Sequence, residues 1–253
     1  MKDEMGYGGL LEMKRLSGAL IVVAAMALSA VAAHAQFKIK KPEQPSNFKN
    51  PPTLQTSIDT RDAFIDRIGE DGFYCRLPAP AIVIADTPLF GEYEKNTDNL
   101  VTPDWMQLKP EEKAIFGQLA GQGGTDAQAK EAFEMEAHHW ILIVETVRWW
   151  EACKQLTLKL TPYQAEVQAV RVALAYWRER DPDVVQKLTA IVDTLDKEPS
   201  LVPPGQDFPT YFNQHYQKNA SGKDYLWMQA QVLKVVMAET PEPTVVESLK
   251  RLE

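Results

Sequence analysis

The sequence is poor in the residues that metal and thiol chemistry need. Of 253 residues only four are histidine and two are cysteine. Two cysteines cannot build a multi-thiolate zinc or iron–sulfur site, and three histidines after His34 leave little for an imidazole cage. A Gly-rich phosphate loop and a Gly-x-Ser-x-Gly elbow are missing, which removes the common nucleotide-binding and serine-hydrolase signatures. Basic residues are outnumbered. The net charge of −8 excludes a nucleic-acid or anionic-membrane partner as the reading of choice. No repeat recurs at a fixed period.

The one long apolar run lies near the start. Lys14 and Arg15 precede Leu16–Val31, which carries no charge, and Ala33-His34-Ala35 follows. The run is shorter than the roughly 20 apolar residues a spanning helix needs. It reads as a cleavable signal peptide cut before Gln36, so residues 1–35 are upstream residues and leader, and the mature chain is expected to be periplasmic or secreted, with no membrane contact after cleavage. In such a compartment Cys75 and Cys153 are expected to pair.

Residues 36–57 carry Pro42, Pro45, Pro51 and Pro52 among lysines and read as an extended arm. Residues 58–253 read as a single α+β, mainly helical domain. Thr60–Ile68 is predicted as a short amphipathic helix. Phe73–Leu77, Ala81–Ala85, Leu89–Tyr93 and Leu100–Val101 are short runs of β-branched and aromatic residues between breakers, and read as a small β region. Pro110 opens a helix to Leu119. Thr125 with Gln128 forms a capping box, and no Pro or Gly interrupts the chain from there to Pro162, so one long helix is expected. Its second half, Trp140 to Ala152, is apolar nearly all round, as in a helix contacted on several sides. Thr161-Pro162 with Gln164, and then Asp181-Pro182, start two further helices. Short helices are expected around Phe212–Tyr216, from Ser221 over Tyr225–Met237, and after Pro243.

Within the central helix stands Val144-Glu145-Thr146-Val147-Arg148, and Glu166 follows on the next helix. With the order small β region, long helix, glutamate-bearing helix, this stretch resembles the zincin metallopeptidases of the His-Glu-x-x-His type with a downstream glutamate ligand. The resemblance covers roughly Phe73 to Asp181. It implies a zincin-like fold, Glu145 at the general-base position and Glu166 at the third zinc-ligand position. It also implies that a downstream side chain, His215 or Tyr216, stabilises the tetrahedral intermediate.

In that family two histidines four apart face one zinc, and the glutamate between them activates its bound water. Here those two positions hold Val144 and Arg148. Valine cannot ligate a metal, and arginine stays cationic. The resemblance therefore implies a degenerate member without zinc or another cofactor, keeping a peptide- or protein-binding role. A non-enzymatic helical scaffold is the alternative. In place of the metal, Arg148 is expected to bridge Glu145 and Glu166. Glu136-Ala137-His138-His139 contains one Glu-x-x-His, half of what a di-iron bundle needs. Both histidines are therefore expected to be structural, bonded to Glu134 or Glu136.

Overall fold

The computed structural model describes residues 50–252 apart from 122, 157–159 and 217–221. The chain divides after Lys41, and the described residues all lie in the second unit, Pro42–Glu253. The leader, its cleavage point and most of the arm lie outside the described residues.

The second unit is mainly helical with one small sheet. Helix α1 runs Pro52–Glu70, so the expected arm ends earlier than residue 57 and the helix expected at Thr60 begins earlier. The reason is local. Pro52 sits in the first turn, where a helix needs no N–H from it and the fixed φ already fits. Thr53 then donates to Asp104 at 2.6 Å, and Ser57 is fully buried, so this first stretch is held by tertiary contacts.

The sheet contains β1 (Ala81–Ile84), β2 (Glu92–Glu94) and β3 (Asn99–Thr102) in the order β1-β3-β2. β3 pairs parallel with β1 and antiparallel with β2. Phe73–Leu77, expected as a further strand, forms none. Cys75 is instead bonded to Cys153, and the Phe73 carbonyl accepts from the Trp150 indole at 3.1 Å, so this segment serves the central helix rather than a neighbouring strand.

Helix α2 is Pro110–Leu119. Next, α3 (Asp126–Phe133) passes without a break into Glu134–Ile141 and then α4 (Leu142–Lys154). The capping box of Thr125 and Gln128 is formed. The middle piece is π-helical rather than α-helical: the Leu142 N–H reaches back to the Ala137 carbonyl. Gln155, at positive φ, ends α4. Beyond it lie α5 (Pro162–Arg180), α6 (Pro182–Leu195), α7 (Phe208–His215), α8 (Gly222–Met237) and α9 (Val245–Lys250).

α5 is the hub and packs on α4, α6, α7, α8 and α9. It can do so because Ala169 to Trp177 is buried without interruption, with alanines 169, 173 and 175 allowing close approach. Trp140, Trp149 and Trp150 are fully buried on the π segment and α4.

Gly91 marks the tightest junction between sheet and helix. A Cβ there would stand 2.6 Å from the Ile141 side chain at the end of the π segment. Gly91→Ala is expected to lower unfolding free energy by about 1–3 kcal/mol, the usual cost of forcing extra atoms into a packed core. A chemical-denaturation curve overlying that of the parent would show that the junction can relax.

Candidate functional site

The residues singled out by the metallopeptidase resemblance come together in the core, where α4, α5, α7 and α8 face the end of β2. Arg148 is the centre. Its Nη2 donates to Glu166 on α5 in a very close contact and to the Tyr216 hydroxyl at 2.9 Å. Its Nε lies 3.0 Å from Oε1 of Glu145. That N–H does not point along the contact and has no hydrogen-bond acceptor, so the Glu145 contact is an ion pair rather than a hydrogen bond. The guanidinium also lies 5.5 Å from the Tyr216 ring centroid.

Glu145 is occupied on its other side. Its Oε2 accepts from the backbone N–H of Tyr93 at 2.9 Å. β2 is an edge strand, so its outward N–H needs a partner, and Glu145 supplies one. The sheet edge therefore runs alongside α4. The second Glu166 oxygen accepts from Gln229 of α8 at 2.8 Å. Gln229 and Tyr216 complete the group.

The cluster is sealed. The side chains of Glu145, Glu166 and Arg148 keep only 6, 0 and 17 % of their surface. Burial pushes the Glu145 acid up to about 7, with Arg148 pulling against it. Burial alone would lower the Arg148 guanidinium, but Glu166, Tyr216, Glu145 and Glu151 together outweigh it and hold the group far into its charged range. Burial likewise drives the Tyr216 hydroxyl well above its ordinary range.

A third carboxyl completes the picture. Glu151, one turn after Arg148, is fully buried, and neither of its oxygens has a hydrogen-bond partner. Burial pushes it up to about 8. One guanidinium thus shares the region with three carboxyl groups, and burial pushes two of them, Glu145 and Glu151, toward the protonated form.

Of the residues expected from sequence, Glu145, Arg148 and Glu166 meet as the resemblance implied. Val144 is packed in the core and offers nothing to a metal. His215 does not join the group through a hydrogen bond: its ring stacks on Tyr211 at 4.3 Å, and the neighbouring Tyr216 reaches Arg148 instead. His138 is structural but bonds the Pro103 carbonyl at 2.9 Å rather than a glutamate, because Glu134 is engaged by Lys130 and the π segment turns His138 toward that loop. His139 packs against Trp177, and its Nδ1 has no partner. Among the described residues, no three His, Cys, Asp or Glu side chains are placed to hold a metal ion. Of the three positions that hold zinc ligands in the resembled family, only Glu166 has a donor atom for a metal, since Val144 has none and Arg148 is cationic.

The sequence reading missed Gln229, Glu151 and the role of Tyr216 over His215. Glu151 carried a signal. It stands three residues after Arg148 on the same helix, the spacing at which a guanidinium and a carboxyl become neighbours.

Compared with protein-family models, curated proteins and solved structures, the chain matches none.

Proposed function

We propose that this chain is an exported metallopeptidase-like protein that has lost the metal and its chemistry and keeps a peptide- or protein-binding role. The observation that carries this reading is Arg148. A fixed cation sits between a carboxylate at the general-base position and a carboxylate at the distant-ligand position, where the related enzymes would hold zinc. The sheet edge beside α4 and the glutamate-bearing α5 support the same ancestry. Export rests on the leader read from sequence. It is supported by the Cys75–Cys153 disulfide, which belongs to an oxidising compartment. No helix among the described residues is long and apolar enough to cross a membrane.

Complete burial of Glu166 favours a second reading for the cluster itself. A group with no exposed surface cannot touch a substrate, so the cluster ties helices together and recognition falls to another surface. That is the scaffold alternative.

Restoring the missing ligands separates the two. Val144→His together with Arg148→His should bind one zinc per chain with Glu166, because the i, i+4 pair then faces one point. Calorimetric titration with zinc reads this directly, and a third change, Glu166→Gln, should weaken it. A double variant that folds and takes up no zinc would remove the metallopeptidase ancestry and leave the scaffold.

A further inference from the structure

A small internal cavity adjoins the cluster on the far side of α8. It measures about 10 Å³ and is lined by Glu136, Trp140, Ile191, Leu195, Leu226 and Gln229, all of them buried. A space of about 10–15 Å³ holds one water, provided that at least two polar groups face it. Two side chains qualify.

Gln229 is the first. Its Nε2 must be the atom facing Glu166, since a carboxylate only accepts. Its Oε1 is therefore turned away, buried and without a partner. Glu136 is the second. It comes from the π segment and keeps 4 % of its surface. Burial alone pushes this acid up to about 8, so it carries a proton at neutral pH and has a donor to place. A buried acceptor without a partner and an almost fully buried carboxyl group thus line one water-sized space.

We infer that the cavity is a one-water site, in which the Glu136 carboxyl donates to the water and the water donates to Gln229 Oε1. The water extends the polar group by one helix. The connection then runs from Glu136 on the π segment through Gln229 on α8, Glu166 on α5 and Arg148 and Glu145 on α4 to the Tyr93 N–H on β2. A buried polar group left without a partner is costly, and one water serves both.

A crystal structure of the mature protein that shows ordered water tests this. A peak is expected within about 2.5–3.0 Å of both Glu136 and Gln229 Oε1. In Glu136→Met the peak should vanish, and oxygen-17 relaxation dispersion in solution should report one long-lived water fewer. An empty cavity in the parent protein, a direct Glu136–Gln229 bond, or a water that survives in Glu136→Met would each overturn the inference. Should the variant fail to fold, the parent structure alone decides.

Discussion

Replacing Arg148 with alanine is expected to destabilise the protein by about 3–5 kcal/mol, the cost of stripping one partner from a buried ion pair. Three features put Arg148 at that end of the scale. Glu166 has no exposed surface, so water cannot take over the lost contact. Its remaining partners are neutral, the Gln229 amide and the Tyr216 hydroxyl. Glu145 and Glu151 add two more buried carboxyls to the same region. Exposed pairs such as Lys187–Glu131 should behave differently and contribute at most about 1 kcal/mol. Arg148→Lys should recover only part of the loss, because a point charge cannot contact Glu145, Glu166 and Tyr216 from one planar group. Combining Arg148→Ala with Glu166→Gln should be less damaging than the two single effects added, since the amide leaves no buried charge behind. Urea denaturation of the parent and the four variants measures all of this. A loss below about 1 kcal/mol for Arg148→Ala would place the pair with surface contacts and contradict its structural role.

The second large effect is on the pH dependence of stability. Glu136 and Glu151 titrate near 8 and Glu145 near 7 in the folded chain, against about 4.5 when unfolded. The folded state holds protons that the unfolded state sheds. Their contribution is therefore complete below about pH 4.5 and is lost as pH rises through 7 to 8. His138 and His139 act in the opposite sense, because burial lowers both. Neutral in the fold, they favour it above the ordinary histidine value and are a burden below it. Above pH 6.5 the glutamates decide. Between pH 6.5 and 9, each acid near 8 should contribute a loss of about 2 kcal/mol, at about 1.4 kcal/mol per unit. Glu151→Gln removes one such acid without changing its shape. It should flatten the profile by that amount and make the variant more stable than its parent at pH 9. Unfolding midpoints at the two pH values test it. A parent protein equally stable at both would show that these carboxyls are not proton-bearing in the fold.

Much of the helical frame was legible, because its signals are local. Thr125 with Gln128, Thr161 with Gln164 and Asp181-Pro182 each start a helix where the chain itself supplies the cap. The meeting of Arg148 with Glu145 and Glu166 was what the metallopeptidase resemblance implied, since a buried carboxylate without its metal needs a cation or a proton. What stayed hidden depends on partners distant in sequence. Pro51-Pro52 looks extended until Thr53 finds Asp104. Phe73–Leu77 has strand composition, yet Cys153 and Trp150 claim it. The π segment differs from an α-helix by one residue in its hydrogen bonding, and no composition rule marks it. His215 and Tyr216 are adjacent, and the end of α7 decides which one points inward.

The metal content of the mature protein, purified without chelator and then dialysed against excess zinc, bears most directly on the claim that a guanidinium stands where zinc would. Elemental analysis should find far less than one zinc per chain, with Arg148 and Glu166 still paired. One tightly held zinc per chain in the unaltered protein, lost on Glu166→Gln, would contradict it.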